Sequence, residues 1–282
     1  MPNKSFSFYP STQESSVDTF DELVIELGKS FIAVMLVKGS KKSVAAFELF
    51  TFDEEETTDF KKLFSEVLLS SKVLENHSLP AKVYINNNVT LLVPVFKFNK
   101  EIAADYLDVV FGEDRLSAIQ FEHIPVEPGM MNVYRIAEDW FTVLNTYFPK
   151  TSFKHSWSNT IRTLTDASND FPGAFISVQF YNTSITVVAM KDKQLHLIQS
   201  FVYENPEDVL YYLLNITERL ELDGDQLQLQ ISGMIDLDFK LYRELVKYFK
   251  NVTVENTDRS KVLPDTGEHP LHYFTPFFNL AI

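Results

Sequence analysis

The sequence predicts an α/β protein made of two similar halves, each a mixed sheet flanked by helices. Two observations carry this. The order strand, strand, strand, helix, strand occurs twice, roughly 150 residues apart, which is the spacing of an internal repeat rather than of a short solenoid. Each set of three strands is joined by tight turns, and each following helix shows apolar residues at 3.6-residue spacing.

In the first half, Leu23–Leu27, Phe31–Val37 and Val44–Phe52 read as apolar strands. Gly28-Lys29-Ser30 and Lys38-Gly39-Ser40-Lys41 supply hairpin turns between them. Phe60, Leu63, Phe64, Val67 and Leu68 then lie on one helical face, with Thr58 placed to cap it. Lys82–Ile85 is a short strand. In the second half, Ala174–Phe180, Ile185–Met190 and Leu195–Tyr203 repeat the meander. Asn205, Pro206, Glu207 and Asp208 mark a helix start: a cap, a proline at the first turn and acids at the positive dipole end. Val209, Leu213, Ile216 and Leu220 form its buried stripe, and Gly224 stands just past its end. Leu227, Leu229 and Ile231 alternate with glutamines as the closing strand.

Between the halves, Val89–Phe98 reads as a strand and Asn99 as the cap of a helix running to about Val110. Ile119–Ile124 and Met131–Ile136 are strands, and Trp140, Phe141, Leu144 and Phe148 mark a helix. Ser152–Ser156 is a strand and Ile161–Leu164 a short helix. A helix with Phe239, Leu241, Leu245 and Phe249 and the strand Val252–Glu255 follow the second repeat. The expected domains are a polar arm over 1–20, a first half over 21–170 with a small αβ subdomain at about 89–136, and a second half over 171–282. The second half ends in an apolar tail of Phe274, Phe277, Phe278, Leu280 and Ile282. A chain end this apolar is expected to be buried, on its own core or on a neighbour.

Composition excludes several function classes. There are no cysteines among the 282 residues, so disulfides, thiolate metal sites and cysteine nucleophiles are out. The formal charge of −14 repels nucleic acid and anionic lipid, and no dense basic patch offsets it. No apolar run reads as an export signal or as a membrane span, so the expectation is a cytoplasmic protein with no direct membrane insertion. There is no P-loop, no dinucleotide fingerprint and no nucleophile elbow. His269 and His272 sit near Asp265 and Glu268, but Pro270 between them prevents helical pairing, so no metal site is expected.

Two three-stranded meanders, each followed by a helix and a strand, resemble the actin-like ATPase (ribonuclease H-like) superfamily, over nearly all of residues 22–260. The small αβ insertion resembles the bacterial pilus-assembly (PilM-like) branch. The whole chain is also similar to an uncharacterised bacterial family of unknown function with an actin-like fold, an impression to which the ending His272–Leu280 adds. In that superfamily the first turn of each half carries an acid, a glycine and a hydroxyl, and its backbone amides hold phosphate. The resemblance therefore points to Glu26, Gly28, Lys29 and Ser30 in the first turn. It points to Asn182 and Thr183 in the second turn, and to Gly233 in the adenosine-binding turn, as a vestigial nucleotide site in the cleft between the halves. The second turn departs from the pattern, because Gln179 replaces the acid and Tyr181 the glycine. The adenosine turn keeps one glycine where the superfamily has two or more. A Mg-ATP clamp needs both turns and a placed carboxylate.

The expected function is thus a degenerate actin-like scaffold or protein-binding module with no catalytic residue, no cofactor and no ATP hydrolysis. A protein or peptide partner, or self-association, is expected, and no nucleic acid. The alternative is an atypical ATPase or small-molecule kinase that binds Mg-ATP.

Overall fold

The computed structural model describes residues 2–10, 20–39, 41–76, 78–167, 173–222 and 226–282. It divides into two compact units. Unit 1 comprises Met1–Asn159, Asp258–Thr266 and Leu280–Ile282; unit 2 comprises Thr160–Thr257 and Gly267–Asn279.

Unit 1 is built on a six-stranded sheet of β1 (Asn3–Phe8), β2 (Glu22–Leu27), β3 (Phe31–Lys38), β4 (Ser43–Thr51), β5 (Ala81–Ile85) and β9 (Thr151–His155). Its strand order is β1-β4-β3-β2-β5-β9. β2, β3 and β4 form an antiparallel meander, while β5 and β9 add in parallel. Parallel addition needs a crossover connection, and helix α1 (Phe60–Ser70) supplies the first. Its stripe of Phe60, Leu63, Phe64 and Val67 is buried with Val143, Leu144 and Phe148 from α3 (Glu138–Tyr147) and its end, against Leu23, Ile25 and Leu27 of the sheet. The Phe60 and Trp140 rings stack at 4.7 Å. The cap of α1 is Asp59, which accepts from the Lys62 N–H, rather than Thr58. The carboxylate one residue on meets the amide, and the Thr58 hydroxyl turns back to the Glu55 carbonyl.

Within unit 1 a small three-stranded sheet has the order β6-β8-β7, from β6 (Thr90–Pro94), β7 (Ser117–Ile124) and β8 (Met130–Ala137). Helix α2 (Ala103–Phe111) packs Ala103 and Leu107 against it. This is the αβ insertion read at 89–136. Asn99 does cap the approach to the helix, through the Glu101 N–H.

Unit 2 repeats the pattern with β10 (Ala174–Phe180), β11 (Ser184–Lys191), β12 (Gln194–Val202), β13 (Gln228–Gly233) and β14 (Asn251–Val254), in the order β12-β11-β10-β13-β14. The match extends to register. Each meander has a break in register between its second and third strands, at Leu36/Val37 and at Ala189/Met190. Helix α5 (Pro206–Arg219) starts with the capping box of Asn205 and Asp208. Its Val209, Leu213 and Ile216 pack on the sheet beside Leu245 of α6 (Lys240–Tyr248). Gly224 lies outside the described residues. Helix α4 (Ser156–Ala167) carries the chain from β9 into unit 2 and is longer than the short helix read at 161–164.

The unit boundary differs from the expected break at 170/171. The division falls between Asn159 and Thr160, and the expected seam at Phe171 lies outside the described residues. The second half is not continuous either. Val262 bridges Val44, and the Leu263 N–H donates to the Val44 carbonyl, which ties the segment to unit 1. The apolar end is buried as expected: Phe274, Phe277 and Phe278 lie fully inside, with α7 (Thr275–Phe278) and its neighbours in unit 2.

The polar arm also contributes structure. β1 covers the β4 edge, so residues 3–8 act as an edge strand, which removes a row of open backbone groups. Glu48, fully buried on β4, holds it there. Its carboxylate accepts from Lys4 Nζ at 2.9 Å, from the Tyr9 hydroxyl, from the Ser71 hydroxyl and from the Lys72 N–H at 3.1 Å. Glu255, following β14, is the contrasting case, largely buried, with a donor in Asn279 Nδ2 at 3.0 Å and the Ser232 hydroxyl beside it.

These two carboxylates predict opposite pH behaviour. Burial pushes Glu48 up, but the bonds from Ser71, Tyr9, Lys4 and Lys72 outweigh it and hold the folded value low. Its stabilisation is therefore complete above the unfolded value of about 4.3 and fades as pH falls through the lower folded one. Glu48→Gln should cost about 2 kcal/mol at neutral pH in urea melts, with the gap to wild type closing in acid. Burial raises Glu255 and its bonds offset that only in part. Its stabilisation is lost as pH rises through the raised value, so Glu255→Gln should be as stable as wild type or more so at pH ~7 and show no gain below pH ~4.

Candidate functional site

The two first turns are equivalent in geometry. In unit 1 the Gly28 N–H donates to the Phe31 carbonyl at 3.0 Å, and the Asn86 N–H to the Leu27 carbonyl at 2.8 Å. In unit 2 the Tyr181 N–H donates to the Ser184 carbonyl at 2.8 Å, and the Met234 N–H to the Phe180 carbonyl at 2.9 Å. Gly28 and Tyr181 therefore occupy the same place, as do Glu26 and Gln179.

Glu26 is one residue before the end of β2 and is fully buried. Its Oε1 accepts from Asn86 Nδ2 at 2.9 Å and from the Ser156 hydroxyl at 2.7 Å. Asn86 directly follows β5 and Ser156 opens α4 after β9. The ends of three parallel neighbours thus meet on this one carboxylate oxygen. Beside them His155 is fully enclosed; its Nε2 meets the Asn87 carbonyl at 3.2 Å and its Nδ1 accepts from the Trp157 N–H at 3.2 Å. Burial drives its pKa down to about 3, so the ring is neutral and fixed in one tautomer.

Gly28 lies under the Phe31 ring. A Cβ built on it would lie 2.2 Å from a Phe31 ring carbon. Lys29 is exposed and turns away to line a cavity of about 460 Å³ with Asn87, Phe111, Asp114, Arg135 and Trp140. Ser30 offers its carbonyl to the Phe52 N–H at 3.0 Å. The four residues read as one turn therefore diverge: an acid inward, a glycine under a ring, a lysine outward and a serine at the meander.

In unit 2, Gln179 is buried, and the Thr160 hydroxyl lies 3.4 Å from its Oε1. Tyr181 is 4% exposed, and its ring meets Phe277 edge-on at 5.6 Å. Asn182 and Thr183 are exposed. Gly233 has φ +91°, and a Cβ there would fall 2.1 Å from the Phe180 carbonyl oxygen. Both backbone sign and backbone contact demand glycine. The structure thus brings Gly233 against the strand end that leads into Tyr181, Asn182 and Thr183. His272 is buried, with Nε2 2.9 Å from the Ile235 carbonyl. Among the described residues no cluster of three metal-ligating side chains occurs.

Sequence reading missed Asn86, Ser156 and Arg135. Asn86 and Ser156 carried a weak signal, as polar residues at the ends of apolar strands. Arg135 had none, because a cation is expected to face water, whereas residues 132–136 are all buried.

The family description "Protein of unknown function (DUF3822)" matches residues 11–252. The chain belongs to this family. Among solved structures, the DUF3822 chain is similar to a Bacteroides thetaiotaomicron protein described as having an actin-like ATPase fold and unknown function. The TM-score is 0.73 at 18% identity, covering 83% of this chain and 90% of that one. It is also similar to a chain of a PilM-PilN type IV pilus biogenesis complex, with a TM-score of 0.60 at 12% identity, covering 93% and 96%. No curated protein matches. These likenesses show the fold: the DUF3822 chain has the actin-like architecture, an α/β fold of two mixed sheets flanked by helices. No helix among the described residues is long and apolar enough to cross a membrane.

The two glycines predict distinct mutant behaviour. Gly28→Ala should cost about 1–3 kcal/mol through the Phe31 ring, and the Gly28→Ala/Phe31→Ala double variant should lose less than the sum of the singles. Gly233→Ala faces a fixed backbone and should lose about 3 kcal/mol or more, or fail to fold, whatever its side-chain neighbours. Chemical melts of the four variants check both.

Proposed function

We propose that this protein is a non-hydrolysing actin-like scaffold that binds a protein partner. The observation that carries the reading is Tyr181. It stands where the superfamily pattern has a glycine, and it is buried against Phe277. A tyrosine enclosed by its own C-terminal segment cannot yield space to a phosphate without unpacking that segment. Glu26 supports the same reading, since two internal donors engage the oxygen that would otherwise face a metal or water.

The partner side of the proposal rests on the small αβ subdomain. Phe96, Val109 and Leu116 are 78%, 86% and 79% exposed there, beside Val110 and Phe111. Single exposed apolar residues are ordinary, but this concentration on one small subdomain is the feature of a protein-contacting surface. Likeness to a chain of the PilM-PilN complex adds an analogy, an actin-like fold seen with a partner protein. The charge of −14 favours a protein over nucleic acid, and the reading places the chain in the cytoplasm.

Purified protein with Mg-ATP should show no turnover above the buffer rate. Tyr181→Gly alone should not restore it, because Glu26 stays engaged. Wild-type turnover that Glu26→Ala abolishes would overturn the reading. Val109→Asp and Leu116→Asp should leave stability within about 0.5 kcal/mol of wild type. The same changes should remove the mass of any partner that co-purifies with the wild-type chain from its native cells.

A further inference from the structure

The two meanders differ at one edge. In unit 1 the third strand of the meander, β4, is covered by β1, which pairs with it antiparallel from Asn3 opposite Thr51 to Phe8 opposite Phe47. In unit 2 the strand in the same place is β12, and among the described residues the sheet ends there. Burial follows the difference: seven of the nine residues of β4 are buried, against two of the nine in β12. The register shows which backbone groups are left over. The Tyr203 N–H donates to the Thr183 carbonyl, so Leu197, Gln199 and Phe201 are the residues of this antiparallel ladder that bond to β11. The N–H and C=O of Ile198 and the N–H of Val202 therefore point to the other side, where unit 1 has its extra strand. The Val202 carbonyl on that side is met by the Tyr212 hydroxyl at 3.1 Å.

Open edges invite pairing, and proteins guard them with charges, prolines or short length. The other sheet edges of this chain are guarded. β1 carries Lys4, β9 Lys154, β6 Pro94 and β7 Glu122, and β14 has only four residues. β12 reads Gln-Leu-His-Leu-Ile-Gln-Ser-Phe-Val over nine residues, with no acid, lysine, arginine, proline or glycine. Exposed apolar groups flank it. Val202 is 56% exposed. Tyr211 on α5, 65% exposed, meets Tyr212 edge-on at 5.8 Å, and the Tyr212 ring stacks on Phe201 at 4.5 Å. Charge stands at the two ends of the strand instead. Exposed Lys193 immediately precedes it, with Asp192 one residue further out, and exposed Glu204 follows it.

We infer that β12 is a self-pairing edge, which joins β12 of a second copy in an antiparallel ladder across a twofold axis and so merges two five-stranded sheets into one. Three observations select a second copy. β1 shows that this edge of the meander takes an added antiparallel strand, and antiparallel is the pairing that a twofold axis makes. Self-pairing brings no like charges together along the ladder, because the strand has none. It does bring the Lys193 end of each copy to the Glu204 end of the other, two complementary pairs. A ladder of this length is a small interface, so a dissociation constant on the order of 10–100 μM is expected. Each copy spends its open edge in the contact, so assembly stops at two. The inference rests on unit 2 and stands apart from the scaffold reading, which needs neither β12 nor a dimer.

Sedimentation velocity of the intact chain tests this, from about 1 to about 500 μM in about 0.15 M salt, which screens the net charge of −14 beyond about 8 Å. The expected result is growth from monomer to dimer and no further. Over the same range the Ile198 amide should exchange with solvent about threefold to tenfold more slowly at the concentrated end. Val202→Lys sets a cation on the exposed edge and should weaken the dimer about tenfold or more. Lys193→Glu and Glu204→Lys, both at exposed positions, should each weaken it about threefold to tenfold. The double variant restores the pairs in reverse and should return to within about twofold of wild type. A double variant no tighter than the singles would overturn the twofold pairing. A dimer indifferent to Val202→Lys would place the contact elsewhere and overturn it too. A monomer mass across the whole series would overturn the inference and leave the edge to a strand of a different protein.

Discussion

The constraint on which this structure turns is that the central strand of each unit is buried on both faces. Every residue of β2 from Leu23 to Leu27 is inaccessible, and every residue of β10 is buried. A charged group in a strand placed so deep is costly unless it is hydrogen-bonded, because water does not reach it. Glu26 must therefore find donors inside the protein. It finds them at the ends of the strands that add beside it, in Asn86 after β5 and Ser156 after β9. The carboxylate that the resemblance places in a phosphate turn joins three strand ends. The same depth fixes His155 in its neutral form and encloses Gln179 in the second unit.

That depth also explains how much of the fold could be read. Strands buried on both faces appear as apolar runs, and Leu23–Leu27, Phe31–Val37 and Ala174–Phe180 stood out as such runs bounded by turn chemistry. Asn205 and Pro206 placed α5 because a cap and a first-turn proline act locally. Thr58 was misread by one residue because two adjacent side chains can reach the same amides. The unit boundary was not legible. Val262 and Leu263 return to β4 through backbone pairing, which leaves no mark on composition.

The residues read as one site differ in what surrounds them. Gly28 and Gly233 are both glycines at turn positions, and sequence treats them alike. The structure separates them by what a Cβ would strike: a movable ring at Gly28 and a fixed carbonyl at Gly233. Arg135 was invisible for the opposite reason. A charged residue is expected to face water, and here residues 132–136 are all buried, with Arg135 Nη2 engaged by Asp108 and the Gly112 carbonyl.

Tyr181 has a packing role that a glycine could not fill. A glycine at this place would leave the turn free to approach a ligand, at the expense of backbone entropy and of any packing partner. Tyrosine reverses both effects: it fills space and supplies a ring for Phe277, which lies in the buried C-terminal helix α7. Phe274, Phe277 and Phe278 are all fully enclosed, so this segment is part of the unit 2 interior. The turn and the C-terminal segment are packing partners. Reopening the turn would expose part of an aromatic core, a cost set by apolar area rather than by any single hydrogen bond.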